Sequence, residues 1–409
     1  MICNKPSRFL CVLFVSLIVA LLLSCAAPQQ GAKPTVVTDE EALREQARAD
    51  SLRAVREKEI KIAKSTGQEY HKNKQYADAI PHLERVLELD PKNENTYYRL
   101  ADCYLQLNEL DKAQEVYQRA ISADPENGHY YQYLGYILDK KGLHQEAIEA
   151  YERAVDLMPE SVEAHLALAN LYLGQQMDGP AIEEFSRVAE LDSTRREVLV
   201  VLSKLYTKHD EKEALADTYE RMLKLDSNDR VTMLELGKTY TELGKNQEAV
   251  LLLRKLTEME QENVNACLYL GTALNNMDKC EEAITVFNRA LALEPKNLRA
   301  MSDLAYSYSE TGNHTKAWNM LKKVAQLDSE YAYRFVVQGE IYENEAEPFI
   351  KADGTVKWDG KLKYEKAVGE YKKALKDPEW GQYARHKIEY LTPFLPTEED
   401  RFFHGKKGQ

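Results

Sequence analysis

Between residues 60 and 331 the small and apolar positions return in one fixed phase. Every 34 residues a small residue stands in the same place: Gly67, Ala101, Gly135, Ala169, Ser203, Gly237, Gly271 and Ala305. Twelve residues after each comes a second column, Ala79, Ala113, Ala147, Ala181, Leu215, Ala249, Ala283 and Ala317. Four further on a bulky residue returns, as Leu83, Tyr117, Tyr151, Phe185, Tyr219, Leu253, Phe287 and Leu321. Three residues after the first column stands a ring, at Tyr70, Tyr104, Tyr172, Tyr206, Tyr240 and Tyr308, with Leu138 and Leu274 in the other two places. Such spacing predicts two antiparallel helices per unit. The small residue is expected to face the alanine across the pair, while the bulky residues fill the flanks and reach into the next unit. Pro91, Pro125, Pro159 and Pro295 end the second helix, because proline cannot donate and restricts the residue before it.

This pattern resembles the tetratricopeptide repeat, whose period is 34. One unit matches its signature at Tyr97, Leu100, Ala101, Tyr104, Ala113, Tyr117, Ala120 and Pro125. The resemblance implies an all-α fold, an α-α superhelix (TPR solenoid) of about nine helix-turn-helix repeats. Eight of them fill residues 60–331. A ninth, over 332–378, begins with Phe335, Gly339 and Tyr342 and resumes at Ala367, Tyr371 and Ala374. About sixteen residues, near 345–360, interrupt it. There Phe349–Ala352 and Thr355–Trp358 flank Asp353-Gly354 and predict a small hairpin. Residues 379–409 are expected to give a capping helix and a tail, with Phe402 and Phe403 folding back. In the middle of the array Ser193, Ser227 and Gln261 stand where proline would, and Leu215 replaces alanine. That stretch is expected to be looser or differently curved.

Ahead of the array lie Lys5, Arg8 and an apolar run from Phe9 to Leu23, too short for an ordinary span and suited to an export signal. It ends Leu22-Leu23-Ser24-Cys25, which resembles the bacterial lipobox. That resemblance implies cleavage of residues 1–24, lipidation of Cys25 and a place in the bacterial envelope, lipid-anchored. Ala26, not Asp, follows, which by the same resemblance points to the outer membrane, facing the periplasm. Residues 25–37 read as a tether, which spans at most about 40 Å. Residues 38–59 predict a helical extension, opened by a capping box at Thr38-Asp-Glu-Glu41.

Removing residues 1–24 takes away Lys5 and Arg8 and no acidic residue, so the net charge moves from −13 to −15. Phosphate neutralisation needs a basic face, so nucleic acid is a poor partner. No catalytic motif stands in the chain, and no two of the nine histidines pair at helical ligand spacing. The reading is therefore not an enzyme, with no metal and no cofactor. Cys103, Cys267 and Cys280 are read as packing residues, the last two too far apart to bridge.

What remains is surface. By the family resemblance the first helices line the concave side, where partner peptides or helices bind. Tyr98, Arg99, Tyr133 and Tyr136 fall there toward the N-terminal end, and Tyr269, Thr272, Asn275, Arg299 and Tyr306 toward the C-terminal end. Leu166, Val200, Leu234 and Leu268 recur between them as an apolar stripe. Exposed tyrosine and arginine are good interface anchors. The carboxylate clamp of the chaperone-binding subgroup begins at Lys64 and Gln68 but is not continued by Arg99, His129 and Tyr133. The expected function is a protein-binding scaffold lipoprotein, supporting assembly of an envelope complex with other envelope proteins or peptides. The alternative is a surface lipoprotein that captures glycans or peptides. Glycan-capturing relatives of that kind break their repeats with long loops, which these eight units do not.

Overall fold

The computed structural model describes residues 39–405. The leader, Cys25 and the tether lie outside the described residues. The described chain is all helical apart from turns and one isolated β-bridge, and it divides into two compact units that meet at Asp124–Pro125. The first contains α1 (Asp39–Lys72), α2 (Tyr76–Leu89), α3 (Glu94–Gln106) and α4 (Leu110–Ala123). The second contains α5 (Gly128–Lys140), α6 (His144–Leu157), α7 (Val162–Gly174), α8 (Asp178–Leu191), α9 (Arg196–Lys208), α10 (Lys212–Leu225), α11 (Arg230–Glu242), α12 (Asn246–Met259), α13 (Val264–Asn275), α14 (Cys280–Leu293), α15 (Leu298–Glu310), α16 (His314–Leu327), α17 (Ala332–Ala346), α18 (Trp358–Ala374), α19 (Gly381–Leu391) and α20 (Glu398–Gly405). The division falls ahead of the stretch that lacks proline.

The α1 helix carries the N-terminal extension and the first helix of the first repeat without a break. Its residues 40–58 are solvated, with Leu43, Leu52 and Val55 each more than 60% exposed. They fall on different sides of the helix, so no stripe forms. Packing starts where Arg56 donates to the Leu89 carbonyl and Glu59 pairs with Arg85.

The small column does something other than expected. A Cβ on Gly271 would stand 2.5 Å from the Phe287 ring, one on Gly237 2.5 Å from Leu253, and one on Gly135 2.9 Å from Tyr151. The small residue thus receives the bulky residue of its own unit rather than the alanine. The bulky ring needs the space of a missing side chain; the alanine column is buried elsewhere in the same pair. Seven of its eight members are completely buried, and Leu215 is nearly so.

A further 34-residue column appears only in the backbone. Lys74, Asn108, Gly142, Gln176, Asp210, Gly244, Asp278 and Gly312 all have φ between 55° and 76°. Each sits in the turn inside a helix pair. The next residue's N–H reaches back to the ring-column carbonyl, as Glu109 to Tyr104 at 2.8 Å and Lys245 to Tyr240 at 2.8 Å. This is the Schellman closure, which satisfies carbonyls left open at a helix end.

Neighbouring repeats are joined by two side-chain devices. Cations on α10, α12 and α14 reach the carbonyl end of the preceding second helix: Arg221 donates to the Ala189 carbonyl at 2.6 Å, Lys255 to Ser227 at 3.0 Å, and Arg289 to Thr257 at 3.0 Å. A positive group there also favours the helix dipole. Ring-column hydroxyls reach the same helices, Tyr172 donating to Glu152 at 2.6 Å and Tyr240 to Glu220 at 2.8 Å. Leu166, Val200, Leu234 and Leu268 are half-buried against the core, not an open stripe.

In the ninth repeat the hairpin shrinks to one bridge between Ile350 and Val356, closed around Gly354 at φ 81°. A 3-10 turn at Glu347–Phe349 precedes it, and α18 begins already at Trp358. The inserted residues therefore lengthen the second helix instead of building two strands. The tail does fold back, as α20, held by an ion pair and a ring stack. Asp400 pairs with Lys361 at 2.5 Å and His404 stacks on Trp358 at 4.7 Å, while Phe402 and Phe403 stay more than half exposed.

Candidate protein-docking wall

Within the second unit α11 meets α13, α13 meets α15 and α15 meets α17 directly, whereas no two even-numbered helices make comparable contact. The odd-numbered helices therefore form the inner side of this unit and the even-numbered ones the outer. On the inner side α15 is unusual. Its Ser302, Asp303, Ser307 and Ser309 are all nearly inaccessible, alongside Ala300, Leu304 and Ala305. Short side chains on both flanks let neighbouring helices approach, and a buried carboxylate is tolerated only when it is paired.

Asp303 is paired twice. Arg299 Nε donates to it at 2.9 Å and the Tyr333 hydroxyl donates to it from α17. The Arg299 guanidinium lies 4.5 Å from the Tyr333 ring centre and 5.5 Å from that of Trp380, just ahead of α19. Tyr333 and Trp380 are themselves 4.3 Å apart, and Tyr331 and Tyr383 extend the row at 6.4 and 6.3 Å. Burial works against the Arg299 charge, but Asp303 beside it more than restores it and holds the guanidinium above its ordinary value. Arginine over ring faces is favoured by the ring quadrupole as well.

Two turns along α17 from Tyr333, Glu340 accepts from the Tyr383 hydroxyl at 2.6 Å, and Glu343 beyond it pairs with Lys387 at 3.0 Å. Burial pushes the Glu340 carboxyl up to about 7, against the pull of the Tyr383 hydrogen bond and of Lys387. Three helices thus present one inner wall of rings, one stacked cation and a carboxylate that changes charge near neutrality. Among the described residues no three His, Cys, Asp or Glu side chains converge as a metal site requires. No helix there is long and apolar enough to cross a membrane.

The residues expected to bind are distributed unevenly. Arg299 lies in the wall. Tyr306 is half-buried beside it, its hydroxyl pushed up by burial and by Glu310 and Glu340. Tyr269 is half-buried against the core around Phe287. Asn275 does not face a groove: it is 8% exposed and its Oδ1 accepts from Ser307 at 2.9 Å, so it joins two repeats. At the other end, Tyr98 donates to Glu94 at 2.7 Å and Arg99 to the Asn95 carbonyl at 3.1 Å, both half-buried in the first unit. Tyr133 and Tyr136 belong to the second unit and are each 44% exposed, with Lys140 lying 5.5 Å over Tyr136. Cys103, Cys267 and Cys280 are buried and free. Sequence reasoning missed Asp303, Tyr333, Trp380 and Tyr383. The signal available was a run of small polar residues on α15 and a tryptophan just ahead of the capping helix.

Family models agree with this architecture. Tetratricopeptide repeat models match residues 70–134 and 232–263, and a TPR repeat model matches 135–176. Comparison with curated protein sequences gives no match. Among solved structures, a tetratricopeptide repeat protein from Parabacteroides merdae ATCC 43184 is 17% identical over 73% of this chain and 98% of its own, with a TM-score of 0.39. YrrB, described as a TPR protein with an unusual peptide-binding site, is 20% identical over 46% of this chain and 96% of its own, at 0.38. PilF of Pseudomonas aeruginosa is 19% identical over 52% and 96%, at 0.35. Repeat models matched on helix pairs that keep one 34-residue phase make this chain a tetratricopeptide-repeat protein.

Proposed function

We propose that this scaffold is a lipid-anchored envelope protein whose partner docks on the inner wall of α15, α17 and α19. A repeat array of this kind is a protein-interaction scaffold, and the observation that carries the finer reading is the stacked row Tyr331, Tyr333, Arg299, Trp380 and Tyr383. Aromatic rings and arginine held rigid by buried pairing lose little entropy on binding. The rings are tilted to one another by 31°, 85° and 87°. They share no flat face for a sugar ring, which favours a protein segment over a glycan. The anchor rests on Lys5, Arg8, the Phe9–Leu23 run and Cys25, and two acyl chains would be needed for stable attachment. Two experiments test the reading. Cells fed a palmitate analogue should label the wild type and not Cys25→Ser; equal label in both would remove the anchor. Trp380→Ala with Tyr383→Ala should lose the proteins crosslinked to the wild type while keeping helicity; unchanged crosslinks would remove the wall.

A further inference from the structure

We propose that the outer face of the last two repeats, carried by α16 and α18, is a second docking surface, and that it takes an acidic protein segment. The α16 helix bears Lys316, Lys322 and Lys323 and no carboxylate. The α18 helix bears five lysines against Asp359, Glu365 and Glu370. Both stand in a chain of net charge −13.

The register makes the reversal specific. Allowing for the insertion, Lys366 and Lys372 occupy in the ninth repeat the places of Lys316 and Lys322 in the eighth. In the seven earlier repeats the first place holds Asp78, Glu146, Glu248 and Glu282 and the second Glu84, Glu152 and Glu220; the cations that stand there, Lys112 in the first place and Arg254 in the second, are paired with Glu109 and Glu282, and no earlier repeat has a cation in both. Several of those carboxylates are used inside the chain. Glu84 takes Arg119 at 2.9 Å, Glu282 takes Arg254 at 2.9 Å, and Glu152 and Glu220 accept tyrosine hydroxyls. In the last two repeats both places are cationic and the internal use stops. Tyr342, the equivalent of those tyrosines, instead packs on Trp318 at 4.7 Å, with Lys366 5.6 Å from its ring centre.

Lys316, Lys322, Lys366 and Lys372 are all exposed, and none of them has a carboxylate within ion-pair distance. Lys316 and Lys366 rest on tyrosine rings, and Lys322 and Lys372 are exposed beside them in the same register. Four uncompensated cations at repeating positions raise the local potential and attract a complementary anion. An extended anionic surface, such as a membrane, would also meet the acidic remainder of the chain and be repelled. A short acidic segment can touch the ridge alone. The ridge lies on the outer helices and the ring wall on the inner ones, so the two surfaces are separate.

The test is fluorescence anisotropy of a fluorescein-labelled oligoglutamate peptide with the full chain. Lys316→Ala, Lys322→Ala, Lys366→Ala and Lys372→Ala together should weaken binding about tenfold, four surface pairs being lost. A control neutralises four lysines elsewhere, Lys61, Lys92, Lys204 and Lys279, with the same change in net charge; it should weaken binding less than twofold. Lys322→Gln with Lys372→Gln, at exposed side chains outside any ion pair, repeats the test should the fourfold variant lose helicity. Equal weakening in both fourfold variants, or no binding by the wild type, overturns the proposal. So does binding to phosphatidylglycerol vesicles without binding to the peptide.

Discussion

Replacing Gly271 by alanine adds one methyl group, and the structure says where it goes. The new Cβ would lie 2.5, 2.6 and 2.9 Å from three atoms at the tip of the Phe287 ring, where ordinary contact begins at 3.4 Å. Phe287 is fully buried among Leu270, Leu274, Ala283 and Leu304, so the ring or the helix pair must move by roughly 1 Å in a close-packed interior. Overpacking of this kind costs about 1–3 kcal/mol, from which the helix preference for alanine over glycine returns up to about 1 kcal/mol. With three contacts under 3.0 Å the cost belongs in the upper part of that range, so the expected net loss is about 1–2 kcal/mol. Gly369→Ala is the matched control: it lies in α18 with nothing within 4 Å, so only the helix term acts and stability should rise by up to about 1 kcal/mol. Shortening the ring in Gly271→Ala/Phe287→Leu should recover part of the loss, giving a coupling of about 0.5–3 kcal/mol in a double-mutant cycle. Urea unfolding followed by circular dichroism reads the stabilities. Hydrogen exchange on α13 and α14 localises them, since repeats contact mainly their neighbours. Gly271→Ala as stable as the wild type, or no rescue by Phe287→Leu, would refute the ring-into-gap packing.

Gln176→Gly and Asp210→Gly should each stabilise by about 1 kcal/mol, because both residues hold a left-handed φ that glycine adopts freely, whereas Gly142→Val should destabilise; thermal melts decide. Arg299→Ala should cost about 3 kcal/mol by leaving Asp303 buried and uncompensated, and adding Asp303→Asn should return part of it. Glu340 has its carboxyl raised from 4.5 to about 7 by burial. The stability it contributes is therefore fully present below about 4.5 and lost as pH rises through about 7. Glu340→Gln should flatten that part of the stability–pH curve, and an unchanged curve would mean that another group produces it.

The period was legible because eight repeats state it in unbroken phase, and each position is checked seven times over. What the small column holds was not legible, since spacing places Gly271 opposite the second helix without saying whether Ala283 or Phe287 fills the gap. The turn column escaped for a different reason. Lys74, Gln176 and Asp210 carry no glycine-like signature, and only the backbone shows that they share the conformation of Gly142 and Gly244. For the docking wall, Arg299 and Tyr306 could be placed by register. Tyr333, Trp380 and Tyr383 could not be joined to them, because the insertion in the ninth repeat breaks the phase before the capping helix arrives. Asn275 was misplaced because its partner, Ser307, stands a repeat away.

Site-specific photocrosslinking in intact cells tests the docking wall most directly. A photoreactive phenylalanine at Tyr383, on the inner wall, is compared with the same residue at Leu251, which is 68% exposed on the outer helix α12. A discrete protein adduct from position 383, absent from 251 and lost on Arg299→Glu, is the expected result. Adducts from 251 alone, or none from 383 in cells where the protein is present and folded, would contradict it.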